Sequence, residues 1–181
     1  AALAFEDRYR AMPGDYAYAT QTIAGVGFNG NGNGRIEPNG APLGPAGTQF
    51  ETLLAWNHMS RAGFLGESYN FDPAAPSTGL PPNVWGGFAD IGYDTRYGDP
   101  ASPPMARHTL KTGNYVPAAV LVEVDRKLDD GNGLGGGFQF SDMAWGGDVP
   151  AGPGGANGCV LAGGQWALAG SPVNCGGAWL L

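Results

Sequence analysis

Phe5-Glu6-Asp7-Arg8-Tyr9-Arg10-Ala11-Met12-Pro13-Gly14-Asp15 is the stretch on which the reading of this 181-residue chain turns. Phe5, Tyr9 and Met12 fall at i, i+4 and i+7, one face of a 3.6-residue period, so the spacing predicts an amphipathic helix. Glu6 and Arg10 make a favourable i, i+4 pair on its surface. Pro13-Gly14 breaks the helix, and Asp15 is a candidate N-cap for a short second turn through Tyr16, Ala19 and Ile23. Ala1-Ala2-Leu3-Ala4 supplies no cap and no turn, so the helix is expected to be the lower part of a longer one.

Downstream, residues 25–47 are irregular and rich in Gly, Asn and Pro. Thr48 followed by Glu51 forms a capping box that opens a second helix carrying Phe50, Leu53, Leu54, Trp56 and Met59. Its apolar arc is wide, which predicts a helix covered on more than one side, and Gly63 is expected to end it. Residues 66–106 are Pro-rich and loop-like, with short strands expected near Val84–Phe88 and Ile91–Tyr93. Arg107–Thr112 alternates as a strand does. Pro117 suits the first position of a helix in which Leu121, Val124 and Leu128 share a face. Val116, Val120, Val122 and Val124 also alternate, but Asp129-Asp130-Gly131 is a helix ending, and helix is the preferred assignment. Phe138–Ser141, Cys159–Leu161, Gln165–Leu168 and Ala178–Leu181 are strand candidates separated by Gly. The sum is an α+β domain spanning 1–181, with helices first and a small antiparallel sheet later.

Composition narrows the function. Gly (33) and Pro (15) are abundant, yet 5 Trp, 7 Tyr and 8 Phe can fill a core, so a loop-rich folded domain is expected rather than disorder. Nine basic against 16 acidic residues give a net charge of −7. No basic surface can be built to displace counterions from phosphates, which excludes nucleic acid as a partner, and an anionic membrane would repel the chain. No apolar run approaches the roughly 20 residues that span a bilayer. No basic stretch leading into an apolar one opens the chain, so no signal peptide is expected within it.

The motifs that could carry chemistry are few. Cys159 and Cys175 lie close together in a Gly-rich tail, without a CxxC and far from His58 and His108. A disulfide fits them better than a zinc site. Asn29-Gly30-Asn31-Gly32-Asn33-Gly34-Arg35-Ile36 has the skeleton of a calcium loop, but its leading ligands are neutral and its twelfth position is Gly40. Asn and Gly supplying turn conformations is the simpler reading. Asp125, Asp129, Asp130 and Asn132 form the densest oxygen cluster and are the candidate calcium ligands; no other cofactor is expected. Neither histidine sits near a nucleophile motif, no phosphate-binding glycine loop is present, and no carboxylate pair is selected by spacing, so no enzymatic activity is expected.

Five segments resemble the type IV pilin-like and pseudopilin family. Phe5–Asp15 is similar to the end of its long N-terminal helix, where an aromatic and basic stretch runs into a Leu/Met-Pro-Gly-Asp turn, and Tyr18-Ala19-Thr20 continues alike. Gly30–Ile36 is similar to its Gly-Asn/Asp-Gly-x-Ile segment. Trp56-Asn57-His58-Met59 with Ala62-Gly63-Phe64-Leu65 resembles its Trp-Gln-His-Leu…Ala-Gly-Leu helix. Val124–Gly131 resembles Ile-Asp-x-Lys-Ile-Asp-Asp-Gly. The cysteine pair, closing a 159–175 loop, stands where such pilins often place a disulfide. The segments come in the family's order, whereas 66–106 has no clear counterpart and the Gly-rich 131–158 segment is longer than usual.

The resemblance implies a pilin-like fold with the N-terminal helix packed on the sheet. Residues 1–12 would be the remnant of the assembly helix, with Phe5, Tyr9 and Met12 on its packing face. It implies a structural subunit of a type IV pilus-like or type II secretion filament. Such a subunit is held in the inner membrane by a hydrophobic half-helix before assembly and faces the periplasm or exterior. Its partners would be other subunits, with the isolated head monomeric. The alternative is a secreted binding module whose loop aromatics Trp85, Tyr93, Tyr97 and Trp145 hold carbohydrate or a surface.

Overall fold

The computed structural model describes residues 1–37, 50–95, 97, 106–144, 147–149, 158–169 and 173–181. The chain forms two compact units, Ala1–Pro81 with Asp90–Tyr93, and Pro82–Ala89 with Asp94–Leu181. Among the described residues no helix is long and apolar enough to cross a membrane.

The first unit is helical. α1 (Ala2–Tyr9) is shorter than its pattern predicts, because Arg10 turns left-handed (φ 55°) and its N–H closes onto Glu6 O. Met12 therefore lies beyond the helix. Phe5 is fully buried, while Tyr9 and Met12 are half-buried. Asp15 does not cap α2 (Ala19–Thr22); Tyr18 holds that position. α3 (Glu51–Arg61) is buried from Glu51 through Met59, as its wide apolar arc predicts. Phe50 precedes it without a side-chain cap, and Thr48 of the expected capping box lies outside the described residues. Gly63, at φ +81°, ends it as expected.

The Pro13-Gly14-Asp15 turn is pressed onto the backbone of α3. A Cβ on Gly14 would overlap Glu51 O, and its φ of +87° is itself a conformation that side chains avoid.

The second unit holds most of the sheet. β1 (Asp90–Asp94), whose first four residues belong to the first unit, is followed by β2 (Arg107–Lys111), α4 (Ala118–Leu128), β3 (Phe138–Phe140), β4 (Asp142–Ala144), β5 (Gly147–Val149) and β6 (Gly177–Leu180). The antiparallel four-stranded sheet has the order β1-β2-β6-β3, and β4 pairs with β5 in a separate ribbon. Leu110 pairs with Trp179, and Phe138 with Trp179 in turn, so these share one face; Lys111, Ala178 and Gln139 share the other.

The first face receives α4. Leu121 and Val122 pack with Phe138, Phe140, Val160 and Trp166 in one core, and the Phe138 ring lies where a side chain on Gly177 would be. The resemblance implied a helix packed on the sheet, and within this unit the helix whose core packs there is α4. Phe5 has its ring neighbours, Tyr9, Tyr16, His58 and Phe64, in its own unit. On the opposite face Tyr97 packs with Ala178 and Leu180. Lys111, one of two lysines in the chain, is buried there against Asp94 at 3.3 Å.

Three strand candidates, Val84–Phe88, Cys159–Leu161 and Gln165–Leu168, shrink to two single bridges. Val160 pairs with Trp166 across a tight turn, and Pro82 with Phe88 across the Val84-Trp85 tip. The Cys159–Cys175 disulfide is formed, with both residues buried in the α4 core. It closes a loop of sequence separation 16. Reduction is expected to cost about 3 kcal/mol by loop entropy, read as a fall in the urea midpoint on adding reductant. An unchanged midpoint would mean that the loop is already closed without the bond.

Candidate functional site

The acidic cluster begins on α4. The helix buries Ala118, Leu121, Val122 and Asp125, the i, i+3, i+4, i+7 stripe, while Leu128 is 61% exposed. The expected Leu121-Val124-Leu128 face is thus rotated, and a carboxylate occupies a core position. Asp125 Oδ2 accepts the Trp166 indole N–H at 2.6 Å, and Oδ1 accepts Gly131 N–H at 3.1 Å. Trp166 lies 41 residues away and stacks on Phe138.

The helix end continues the pattern. Asp129 Oδ2 accepts the Gly137 and Phe138 N–H groups, Asp130 Oδ1 accepts Asn132 N–H, and Asn132 Oδ1 accepts Leu134 N–H. The sequence thus folds its four candidate ligands into one turn, and oxygens of Asp125, Asp129 and Asp130 lie within 4.8 Å of one another. Burial pushes the Asp125 carboxyl above its usual range against the pull of Trp166 and Gly131, and Asp130 and Asp129 push it further the same way.

Every one of these side chains already accepts a backbone or indole N–H. The turn is therefore held by its own donors, and the remaining lone pairs of exposed Asp129 and Asp130 are what a hard cation could use. Replacing Asp125 by Asn turns an amide N–H toward one of two donors and is expected to cost about 1–3 kcal/mol by urea denaturation. A loss below the error of the measurement would show that Trp166 and Gly131 do not depend on the carboxylate.

A second carboxylate-held loop lies in the first unit, and sequence reasoning missed it. Asp15 is 2% exposed and accepts Asn33 N–H at 2.9 Å on Oδ1 and Gly34 N–H at 2.8 Å on Oδ2. Glu51 is fully buried and accepts Asn31 N–H at 2.9 Å and Glu37 N–H at 3.0 Å, one on each oxygen. The 29–37 loop, with its calcium-like skeleton, is thus fastened by two acids from outside it. The oxygens of Asn31 and Asn33 turn inward to accept Asn33 and Arg35 N–H, which is Asx-turn geometry rather than a ligand set. Desolvation raises Asp15, and it raises Glu51 to about 7, with Asp15 and Glu37 adding to it.

His58 is wholly buried between the same segments. Gly14 N–H donates to its Nδ1 at 3.1 Å, so the Nε2 proton points at Phe28 O, 3.0 Å away. Burial holds its pKa down at about 4. Shifted groups often mark catalytic sites, but Glu51 and His58 are fully buried with backbone partners on both polar atoms, so neither is presented to a substrate.

The loop aromatics separate. Trp85 is 42% exposed beside Val84 at 87%, on a tip fixed by Asn83. The Asn83 amide donates to Thr112 O and Asn114 O and accepts Trp85 and Gly87 N–H. Tyr93 is half-buried with the Arg35 guanidinium 5.1 Å from its ring centroid. Tyr97 is buried and donates its hydroxyl to Ser141 Oγ, which removes it from the surface where the sequence placed it. Trp145 lies outside the described residues.

Compared with known proteins, the chain matches no family model, no curated protein and no solved structure.

Proposed function

We propose that the chain is the head of a structural subunit in a type IV pilus-like or type II secretion filament, with the assembling hydrophobic half-helix lying ahead of α1. The observation that supports this is convergence. Three segments that carry the resemblance, 5–15, 30–36 and 56–65, meet around Gly14, Asp15 and His58. The turn's Gly14 amide binds His58, and its Asp15 carboxylate holds Asn33 and Gly34. These three segments thus include the residues that fasten the helix end to the rest of its unit, which is where an assembling spine must pass its load to the head. The disulfide suits the periplasm or exterior, where such bonds persist. The role is mechanical, without turnover.

Fractionation of the producing cells tests the reading. An antibody against this chain should find the full-length protein in the inner membrane and in sheared surface material. Protein found only free in the medium would contradict it.

A second reading rests on the Asn83-fixed tip, which offers Val84 and Trp85 to solvent on a preorganised turn suited to stacking on a neutral sugar. Glycan-array binding lost in Trp85→Ala would favour it, and an array without signal would remove it.

A further inference from the structure

The sequence contains six Asn–Gly pairs, of which 29–30, 31–32, 33–34 and 132–133 lie among the described residues. Asn–Gly is the dipeptide most open to self-deamidation, because Gly puts no side chain in the way of its own nitrogen. In that reaction the deprotonated Gly nitrogen attacks the Asn side-chain Cγ. The N–Cγ bond forms, the Cγ–Nδ2 bond breaks, and ammonia leaves with the transferred proton. Water then opens the succinimide to Asp or isoAsp. The sum is Asn plus water giving Asp plus ammonia, with no other reactant.

Attack needs the nitrogen's in-plane lone pair, which lies along the former N–H bond, to point at Cγ. In this structure all four N–H bonds point elsewhere. Gly30 N–H donates to Tyr16 O at 3.0 Å, Gly32 N–H to Asp15 O at 2.9 Å, Gly34 N–H to Asp15 Oδ2 at 2.8 Å and Gly133 N–H to Gly164 O at 2.8 Å. The electrophile is held as well. The side-chain oxygens of Asn29, Asn31, Asn33 and Asn132 accept the N–H groups of Thr20, Asn33, Arg35 and Leu134.

We propose that the Asp15-Tyr16 segment guards the three consecutive Asn–Gly bonds of the 29–34 loop, and that Asn33 is a gated deamidation site whose gate is the Asp15 carboxylate. Three of the four guards are main-chain carbonyls. Gly34 alone is held by a side chain, so its protection can be removed without cutting the backbone. A negative carboxylate against the Gly34 nitrogen also disfavours the amide anion that the attack requires. Deamidation then proceeds only from the locally opened loop, and its rate falls by the fraction of time the loop is open. The inference stands on geometry and is independent of the filament reading.

The test is peptide mapping with isoAsp detection on the intact 181-residue protein and on a synthetic peptide of residues 27–37, incubated side by side at neutral pH. In the folded protein Asn33 is expected to convert at least tenfold more slowly than in the peptide, which corresponds to about 1.4 kcal/mol of opening cost. Asp15→Ala should bring Asn33 close to the peptide rate while Asn132 keeps its wild-type rate, which also reports that the second unit is still folded. Asp15→Asn, which retains the shape but surrenders one acceptor oxygen, covers the case in which the alanine variant does not fold and should speed Asn33 at least threefold. Conversion of Asn33 in wild type at the peptide rate would overturn the proposal. So would an unchanged Asn33 rate in a folded Asp15 variant.

Discussion

Phe5→Ala is expected to lower the unfolding free energy by about 3–5 kcal/mol, the range for emptying a fully buried aromatic site. Phe5 has no exposed surface, and its ring lies 4.6 Å from Tyr9, 5.8 Å from Phe64, 6.2 Å from Tyr16 and 6.3 Å from His58, centroid to centroid. Those rings come from α1, the following turn, α3 and the chain just beyond α3, so one side chain ties α1 to the rest of its unit. The cavity cannot close by a small shift, because Gly14 already seats the adjoining turn against the α3 backbone. Since natural domains are stable by about 5–15 kcal/mol, the variant should sit near its unfolding midpoint in modest urea. A loss below 1 kcal/mol would mean that α1 is only loosely attached.

Two variants on α3 should acquire opposite pH dependences. Glu51 has a folded pKa of about 7 against an ordinary 4.5. The folded state therefore holds its proton more tightly, and the associated stability is full below about 4.5 and lost as the pH rises through about 7. His58 has a folded value of about 4 against 6.5. Its contribution is full above 6.5 and lost as the pH falls through about 4. Between those limits the two slopes oppose each other in the wild type.

Glu51→Gln leaves the histidine slope, so its stability should fall by about 3 kcal/mol from pH 7 to pH 4. His58→Gln leaves the glutamate slope, so its stability should rise by about 3 kcal/mol over the same interval. Asp15 and Glu37, the charged groups facing Glu51, are present in both variants, and so is Asp125; their effects cancel in the difference. Parallel pH profiles for the two variants would contradict the assignment.

The sequence was most legible where local pattern and tertiary burial agree. α4 declared itself through the Asp129-Asp130-Gly131 ending despite its alternating valines; β2 and β3 fall within their expected segments, and β6 overlaps its own but begins one residue earlier, at Gly177. The cysteine pair was legible because a Gly-rich tail offers it no competing ligands.

Illegible were the acids whose partners are distant. Asp15 and Glu51 stand where helix caps stand, and local rules assigned them to their own helices. The fold instead turns both toward the 29–37 loop, 14 to 20 residues from them. Asp125 looked like a surface ligand because its donor, Trp166, is 41 residues away. A signal was available, since sliding the apolar stripe to Ala118-Leu121-Val122 puts Asp125 at the next core position and demands a buried donor. Burial of Lys111 and Tyr97 had no comparable local signal. Their partners, Asp94 and Ser141, lie 17 and 44 residues away in sequence.

Immunogold electron microscopy of the producing cells, using an antibody against residues 1–181, tests the central claim most directly. The filament reading predicts gold particles in lines along thin surface or envelope-spanning fibres. Labelling scattered over the medium, with none on fibres, would contradict it.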